Sequence, residues 1–250
     1  MPATPAWPPR SAPRLFVSER LSEGVRVRLD GPPAHYLGKV MRVGPGDAVV
    51  LCDDATGEWA ARVVETGKRD LTLTVEARLR AREEVPDFWL CPALLKKDRF
   101  DLVLEKATEL GVRAINPVLT RRCVADKLNP ERARAIVVEA AEQCARTALP
   151  ELAAPVKLDA LLRDWPADRT LFFADELGGT SAATAFTEHP APAALLTGPE
   201  GGFDDAERAA IRALPQAVPI SLGPRILRGE TAALAAIAAW MAIAGDWAAI

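Results

Sequence analysis

The sequence is poor in the residues that build metal sites and disulfide frameworks. Its four cysteines, at positions 52, 91, 123 and 144, lie far apart, and it holds only two histidines, His35 and His189. Scattered cysteines are typical of proteins from a reducing cytoplasm, and zinc sites need clustered ligands. We therefore expect a cytoplasmic protein without a metal, and we disfavour a Ser-His-Asp catalytic arrangement.

The sequence also lacks a membrane-spanning run and a secretory signal. Its most apolar stretch, residues 232–244, is shorter than the roughly 20 residues that a transmembrane helix needs. Residues 2–13 are rich in proline and alanine without an apolar core segment, so we expect residues 1–13 to form a flexible tail. We expect no membrane partner.

A basic excess, which many nucleic-acid-binding proteins have, is missing as well. The net charge is −3. Residues 1–80 carry 12 Lys and Arg against 10 Asp and Glu, whereas the remainder carries 19 against 24. Because a nucleic acid needs only a local basic face, this charge neither indicates nor excludes an RNA partner.

The pattern of apolar residues predicts two domains that meet near residues 82–87. In residues 14–82, short strand patterns are separated by turn signals and by one helix, which predicts a small β-barrel. In residues 83–250, apolar strands alternate with helices, which predicts an α/β domain with a mostly parallel sheet. The predicted strands cover 14–17, 25–29, 48–51, 58–65, 71–76, 88–95, 114–119, 170–174, 193–197 and 218–222. The predicted helices cover 33–41, 99–110, 130–147, 180–187 and 204–214, followed by a long alanine-rich helix.

A glycine-rich loop, Thr197-Gly198-Pro199-Glu200-Gly201-Gly202-Phe203, follows an apolar strand and precedes a helix. In open α/β sheets, ligands bind at the carboxyl ends of strands. The loop contains Glu200, two aspartates follow it, and no lysine is near, so bound phosphates are disfavoured. A phosphate-free cation such as S-adenosylmethionine fits better. The alternative is a tight strand-to-helix turn without function.

A second segment, from Ser221 to Thr231, is dense in polar side chains. Gly223-Pro224 predicts a turn, Arg225 and Arg228 lie beside it, and Gly229-Glu230-Thr231 begins a helix. Glu230 and Thr231 could cap that helix, a role that does not exclude catalysis.

With these residues in view, the chain resembles the bacterial small-subunit rRNA uridine-N3 methyltransferase family of the SPOUT superfamily. The resemblance extends from Arg14 to Trp240 in several motifs that occur in the family's order. They are GPEGGF, SLGPRILRGETAA, RLFV at 14–17, the segment from His35 through Val40-Met41-Arg42 to Gly46-Asp47, KKDRFDLVLEKATELG at 96–111, and Glu142-Gln143-Cys144 with Arg146. The chain departs from the family at Gly229, where Thr or Ala is frequent, and at Ala145, where Gly is usual.

The resemblance implies a PUA-like RNA-binding β-barrel at 14–82 and a SPOUT methyltransferase domain at 83–250 with a deep trefoil knot. It implies a homodimer that uses S-adenosylmethionine to methylate N3 of a uridine in 16S rRNA of the small ribosomal subunit, near the decoding site. The implied cofactor residues are Thr197, Gly198, Pro199, Glu200, Gly201, Gly202, Ser221, Leu222, Gly223, Ile226, Leu227 and Thr231.

The implied chemistry requires loss of the N3 proton and stabilisation of the uridine anion. We expect Arg228 to stabilise charge on the base and Glu230 to accept the proton or to orient the arginine. The candidate RNA-binding residues are Arg14, His35, Arg42, Lys96, Lys97, Arg99, Arg121 and Arg122, although any one of them could be a solvated surface charge. We read Cys144 as a residue that faces the core of the cofactor domain.

Three other functions stay open from the sequence, and two of them are the nearest rivals. One is another SPOUT methyltransferase that acts on tRNA or on a ribose 2′-hydroxyl, which the N-terminal RLFV and HYLGKVMR stretches disfavour. The other is a non-catalytic RNA-binding module, which the intact glycine loop, Arg228 and Glu230 disfavour. A nucleotide-dependent enzyme is third, and the acidic loop counts against it.

Overall fold

The computed structural model describes residues 7–249, and their backbone contacts divide them into two units. The first unit comprises the described residues up to Glu84 together with Ala141–Ala148; the second comprises Val85–Ala140 and the chain from Leu149 onward. The first six residues of the predicted tail lie outside the described residues. The predicted domains are contiguous in sequence, whereas the segment Ala141–Ala148 returns to the first unit.

The first unit is built on a five-stranded sheet in the order β1-β3-β4-β5-β2. Its strands are β1 (Arg14–Phe16), β2 (Arg26–Asp30), β3 (Ala48–Cys52), β4 (Glu58–Thr66) and β5 (Asp70–Arg80). β1 and β3 are parallel, and the other pairs are antiparallel. The predicted helix at 33–41 is instead the short helix α1 (Gly31–His35) followed by a π-helical turn, Tyr36–Val40. Alternating residues of β2 are buried, as expected of a half-buried strand.

A buried carboxylate and the returning segment hold this unit together. Glu58 pairs with both Arg14 and Arg80, and Arg80 also donates to the carbonyl of Ala145 at 2.6 Å. The backbone N–H of Phe16 donates to Glu142 at 2.8 Å. These bonds explain why Ala141–Ala148 groups with the first unit although a long stretch of sequence separates them.

The second unit contains a seven-stranded sheet in the order β12-β14-β11-β13-β6-β7-β9, and every strand pair in it is parallel. Its strands are β6 (Phe88–Pro92), β7 (Ala114–Ile115), β9 (Glu151–Leu152), β11 (Thr170–Ala174), β12 (Thr180–Ser181), β13 (Ala193–Thr197) and β14 (Ala217–Ser221). β8 (Val118–Leu119) and β10 (Val156–Lys157) form a separate parallel pair. The predicted α/β class is confirmed.

Six α-helices follow within the part of the chain that the structure describes, and a short 3-10 helix, Asp246–Ala249, comes after the last of them. The six α-helices are α2 (Lys97–Glu109), α3 (Pro130–Cys144), α4 (Leu158–Arg163), α5 (Ala182–Glu188), α6 (Asp205–Ala213) and α7 (Gly229–Ile243). The alanine-rich α7 packs against α2 and α5, and its Trp240 stacks on Phe88 with ring centroids 4.2 Å apart. Small side chains let α7 approach the sheet closely while the aromatic pair fills the core.

Three sequence expectations differ from the structure. The predicted strand at 114–119 is two short strands, because Asn116-Pro117 interrupts it and proline has no N–H to donate to a ladder. The helix predicted at 130–147 ends at Cys144, where Ala145 has a positive φ of 62°. Cys144 is exposed, so the expectation that it faces a core is wrong.

Candidate functional site

The carboxyl ends of β6, β11, β13 and β14 meet at one edge of the seven-stranded sheet, because these strands are parallel neighbours. A cavity opens at this edge between the glycine-rich loop, residues 197–203, and the segment that follows β14. It is also lined by the residues that follow β11, namely Asp175 and Glu176. Three strand ends thus supply the walls of one cavity, as the rule for open α/β sheets predicts.

The backbone of the glycine-rich loop is tightly packed. Thr197 is buried, and its carbonyl accepts a hydrogen bond from Ala93 N at 2.9 Å. Gly202 closes a turn by donating to Pro199 O at 2.9 Å, with a φ of +66° that favours glycine. A Cβ on Gly198 would lie 3.0 Å from the ring of the buried Phe203. Because Gly198 and Gly202 have no side chain, the backbone of the loop itself lines the cavity at these positions.

Most of the predicted cofactor residues lie around this cavity. The lining includes Thr197, Gly198, Pro199, Gly202, Ser221, Leu222, Gly223, Ile226 and Leu227. The other three do not line it: Glu200 accepts a hydrogen bond from Lys96 N at 3.4 Å, the carbonyl of Gly201 accepts one from Arg122, and Thr231 is exposed on the first turn of α7.

Sequence reasoning missed an acidic group in the lining. The Asp175 side chain has no exposed surface and forms ion pairs with Arg208, at 3.1 Å, and with Arg212, at 2.5 Å. Burial opposes its ionisation, but hydrogen bonds from Arg212, Leu177 N and Arg208 outweigh burial and hold the pKa of this carboxyl below its ordinary value of 3.8. Asp175 directly follows a predicted strand, so the strand-end rule that identified the glycine loop could have found it.

Glu176 brings a second carboxylate to the same wall. Its Oε1 atom lies 3.1 Å from Arg208 Nη2, and a Cβ on Gly202 would come within 3.1 Å of it. The cavity lining thus holds two carboxylates and two arginines, Arg208 and Arg225, and Arg212 also pairs with Asp175, so the carboxylates are balanced by arginines. No lysine lines the cavity among the described residues. The cavity therefore lacks the lysine that phosphate-binding loops use.

The segment after β14 forms the opposite wall. Gly223 has a φ of +109°, which lets the chain turn at Gly223-Pro224. Ile226 follows with 84% of its surface exposed, although it lines the cavity. Arg228 precedes the first residue of α7 and is exposed, and its guanidinium has no ion pair or hydrogen bond within residues 7–249. This arginine is free to meet an incoming group.

Glu230 lies in the first turn of α7 and is held from the neighbouring helix. Its Oε1 atom is 3.2 Å from Nη1 of Arg99 on α2, and its side chain is 12% exposed. Its Oε2 atom is buried and receives no hydrogen bond from the described residues. One carboxylate oxygen is therefore fixed by an arginine, and the other is available as an acceptor.

Four of the predicted RNA-binding residues lie around the glycine loop and Glu230. Arg122 donates to the carbonyls of Gly201, at 2.9 Å, and Phe203, at 3.4 Å. Arg121 pairs with Asp204 at 2.9 Å, while the backbone N–H of Lys96 donates to Glu200. Arg99 pairs with Glu230, as described above. Lys97, on the first turn of α2, is exposed and lines a neighbouring cavity. These residues lie near the carboxyl edge of the sheet.

The other three predicted RNA-binding residues lie in the first unit. Arg14 is committed to the buried Glu58. His35 is exposed and lines a groove that also contains Lys39, Lys68 and Arg69. Arg42 is exposed and keeps a φ of 56°, which is uncommon for a residue with a side chain. The structure does not bring Arg14 together with His35 in this groove.

Metal ligands and reactive thiols are the remaining groups to place. Within residues 7–249, no group of His, Cys, Asp and Glu side chains could hold a metal ion. Burial raises the pKa of the Cys52 and Cys91 thiols to about 12, so neither is a nucleophile near neutral pH. No helix in the described part of the chain combines the length and the apolar character that crossing a membrane requires.

Comparison with known proteins gives concordant matches. A family described as "RNA methyltransferase domain" matches residues 82–241, and one described as "RNA methyltransferase PUA domain" matches residues 29–76. The ribosomal RNA small subunit methyltransferase E of Synechocystis is 34% identical, covering 90% of this chain and 76% of its own. That of Mycobacterium bovis is 31% identical, covering 93% of each chain.

A solved structure agrees in fold as well as in sequence. The ribosomal RNA small subunit methyltransferase E of Neisseria gonorrhoeae, bound to S-adenosyl methionine, superimposes with a TM-score of 0.86 at 29% identity. The match covers 94% of this chain and 99% of that one.

Proposed function

The chain belongs to the RNA methyltransferase family that includes the ribosomal RNA small subunit methyltransferases E, and we propose that it methylates N3 of a uridine in 16S rRNA with S-adenosylmethionine as donor. The observation that carries the proposal is the convergence of the glycine-rich loop and the segment after β14 on one cavity. The relative from Neisseria gonorrhoeae, which matches along nearly its whole length, binds the same cofactor.

The residues around the cavity fit S-adenosylmethionine. Thin glycine backbone at Gly198 and Gly202 admits a ligand close to the chain, and Leu222 and Ile226 offer apolar surface for an adenine. Glu176, which is 44% exposed, is the carboxylate of this wall that can face a sulfonium or an ammonium group, whereas both oxygens of Asp175 are held by Arg208 and Arg212. When bound, the cofactor supplies an electrophilic methyl group. We propose that the predicted cofactor residues in this lining, with Asp175 and Glu176, hold it.

Arg228 and Glu230 are the catalytic residues of this proposal. Removal of the N3 proton leaves negative charge on the uracil oxygens, and an arginine without another partner can stabilise that charge. The unpaired Oε2 of Glu230 can accept the hydrogen of N3–H, since its other oxygen is already paired with Arg99. Arg228 precedes the first residue of α7 and Glu230 lies in its first turn, so both are near the cavity, although neither lines it.

The target uridine must be unpaired or flipped, because N3 lies on the Watson–Crick edge of the base. We propose that Lys96, Lys97, Arg121 and Arg122 contact the RNA backbone near the cavity. Residues 14–82 act as the RNA-binding domain of the proposal, and the groove that contains His35, Lys68 and Arg69 supports this role by its basic character. Residues 83–250 form the methyltransferase domain.

A knotted backbone belongs to the same proposal. β14 follows β11 and β12 in sequence, yet it lies between them in the sheet. A Cβ on Gly229 would lie 2.9 Å from Gly198 O and 3.0 Å from Leu95 Cδ2, so the chain after β14 passes tightly between the loops that follow β13 and β6. Both observations support a deep trefoil knot, which is rare among folds.

We also propose a homodimer that works in the cytoplasm. Ile226, beside the cavity, and Leu177, in the loop after β11, are large apolar residues that expose most of their surface. Such residues commonly mark an interaction surface when they lie together beside a site. Ultracentrifugation of the purified chain would show a dimer if this part of the proposal holds.

Methyl transfer to small ribosomal subunits tests the function directly. Purified protein, tritiated S-adenosylmethionine and subunits that lack the modification should yield labelled 3-methyluridine after digestion of the RNA to nucleosides. Label on a ribose, or label only when tRNA is added, would replace the proposal with one of the two other methyltransferase functions. Cofactor binding without any transfer would indicate a non-catalytic module.

A further inference from the structure

An ion pair joins the first turns of α2 and α7 at the edge of the cavity. Nη1 of Arg99 lies 3.2 Å from Oε1 of Glu230, although 131 residues separate them in the chain. Arg99 is 32% exposed and Glu230 is 12% exposed. We propose that Arg99 is a positioning residue, which holds the Glu230 carboxylate in the orientation that methyl transfer needs. This inference rests on the proposed function.

The geometry of Glu230 gives the first argument. A glutamate has three side-chain torsions, and a carboxylate that must accept a specific hydrogen needs most of that freedom removed. The bond from Arg99 fixes Oε1 and leaves Oε2, which is buried and has no donor among the described residues. Fixing one oxygen therefore determines where the accepting oxygen lies.

The charge of Arg99 gives the second argument. Its guanidinium already faces the mostly buried carboxylate of Glu230, which offsets much of its attraction for a phosphate. Lys97, in the same turn of α2, is exposed and has no ion pair within residues 7–249. Lys97 is thus the side chain of this turn that suits an RNA phosphate, whereas Arg99 acts through Glu230.

Two variants provide matched comparisons, one at Arg132 and one that replaces Arg99 conservatively. Arg132 forms an ion pair with Asp101 on α2, but it lies at the other cavity, beside Lys127 and Asn129. Removing Arg132 also breaks an Arg–carboxylate pair on α2, without touching Glu230. Arg99→Lys keeps a positive charge within reach of Glu230 but lacks the planar guanidinium.

The experiment measures turnover, RNA affinity and cofactor affinity separately for Arg99→Ala, Arg99→Lys, Glu230→Gln, the double variant Arg99→Ala/Glu230→Gln, and Arg132→Ala. We expect Arg99→Ala to lower kcat about 30-fold, less than the roughly 10²–10⁴-fold that a general acid or base itself contributes, because Glu230 is still present. KM for subunits and calorimetric affinity for S-adenosylhomocysteine should stay within about twofold of the wild type. Arg99→Lys should recover part of the loss, and Arg132→Ala should match the wild type. In the Glu230→Gln background, Arg99→Ala should have little further effect, because coupled residues are not additive.

Other results would overturn the inference. A raised KM with unchanged kcat, and a salt dependence of binding that falls by about one charge, would make Arg99 a phosphate contact. If Arg99→Ala lowered kcat as much in the Glu230→Gln background as it does in the wild type, Arg99 would not act through Glu230. If the wild type itself made no 3-methyluridine, both the proposed function and the positioning role would be wrong. If the wild type were active and the effects of Arg99→Ala and Glu230→Gln on kcat were additive, only the positioning role would be wrong.

Discussion

At the amino edge of the seven-stranded sheet Arg169 pairs with Asp87, and at the carboxyl edge of the same sheet Arg99 pairs with Glu230. The two pairs have the same chemistry and lie beyond opposite edges of the sheet: Asp87 and Arg169 precede β6 and β11, whereas Arg99 and Glu230 lie in the first turns of α2 and α7. They differ in the groups that surround them.

The amino-edge pair is enclosed. The side chain of Arg169 is only 8% exposed, and its terminal nitrogens donate to Asp87 Oδ2, Asp87 O and Ala193 O. The guanidinium stacks on Trp89 at 3.6 Å, and the second oxygen of Asp87 lies 3.9 Å from Arg113. Oδ1 of Asp87 and Nε of Arg169 are nevertheless buried without a hydrogen-bond partner among the described residues, as Oε2 of Glu230 is.

At the carboxyl edge, two polar groups have no partner among the described residues. Arg228 has no partner within residues 7–249, and Oε2 of Glu230 receives no hydrogen bond from them. Glycines at 198 and 202 replace the aromatic packing of the other edge. A buried oxygen without a donor therefore does not indicate a site by itself, because both edges have one. The carboxyl edge differs in its position at the strands' carboxyl ends and in the exposed Arg228, whose guanidinium has no partner within residues 7–249.

The largest effect should come from breaking the enclosed pair. Arg169→Ala leaves the Asp87 carboxylate without its main partner and removes the stacking on Trp89, so we expect the free energy of unfolding to fall by about 3–5 kcal/mol. Chemical denaturation measures this change. Arg113→Ala, at the half-exposed and looser contact with Asp87, should change stability by less than about 1 kcal/mol. If Arg169→Ala kept its stability but lost methyl transfer, the structural role of the amino-edge pair would be contradicted.

At the carboxyl edge, the unpaired Arg228 should affect the rate of methyl transfer and leave the free energy of unfolding unchanged. Arg228→Ala should lower the rate of methyl transfer by about 10²–10³-fold, the usual effect of removing one donor to a developing anion. Cofactor affinity, measured by calorimetry, should stay close to that of the wild type. Loss of cofactor binding would instead assign Arg228 to the cofactor pocket. Arg228→Lys should retain part of the rate.

The thin backbone of the carboxyl edge can be tested at Gly198. An added Cβ would meet the ring of Phe203 at 3.0 Å, and Phe203 cannot retreat easily because it is buried edge-on against Phe173. We expect Gly198→Ala to weaken S-adenosylmethionine binding about tenfold. Gly38→Ala, at a glycine with open space around it, should leave cofactor affinity unchanged. Equal affinities for wild type and Gly198→Ala would show that the ligand does not depend on this loop.

A pH titration separates the buried carboxylate of the cavity wall from the rest of the protein. The native pKa of Asp175 lies below its ordinary value, so its ion pairs stabilise the fold above that value and are lost as the pH falls through the lower native pKa. Asp175→Asn should be less stable at neutral pH, and its difference from the wild type should shrink on acidification below about pH 4. A difference that stayed constant down to pH 2 would contradict this account.

The smallest effect should come from a helix end that belongs to neither edge. Ala145 follows α3 with a φ of 62°, a conformation that costs an alanine about 1 kcal/mol and a glycine almost nothing. Ala145→Gly should therefore raise the free energy of unfolding by about 0.5–1 kcal/mol without changing methyl transfer. Destabilisation, measured in the same denaturation experiment, would show that the left-handed backbone is not strained.

The sequence predicts the elements that depend on local pattern. β11 and β13 are continuous apolar runs bounded by turns, and the structure has them at the predicted residues. The strand-end rule also places the glycine loop at a cavity. The two-residue strands β9 and β10 were missed, because two residues carry no periodic signal.

The sequence pattern does not predict side-chain contacts between residues that are far apart in the chain. The sequence marks Arg99 as a candidate RNA contact among other basic residues, whereas its structural partner Glu230 is 131 residues away. Arg169 was not selected at all, since nothing local shows that Asp87 and Trp89 surround it. The return of Ala141–Ala148 to the first unit depends on Glu142 and Ala145 bonding to residues of β1 and β5.

The most direct test of the contrast between the two edges is a crystal structure of the chain with bound S-adenosylmethionine. The account predicts the cofactor between the glycine-rich loop and residues 221–227, with its methyl group directed toward Arg228 and the free oxygen of Glu230, and with Arg169 and Asp87 unchanged. Cofactor bound elsewhere, or a methyl group directed away from Glu230, would contradict it.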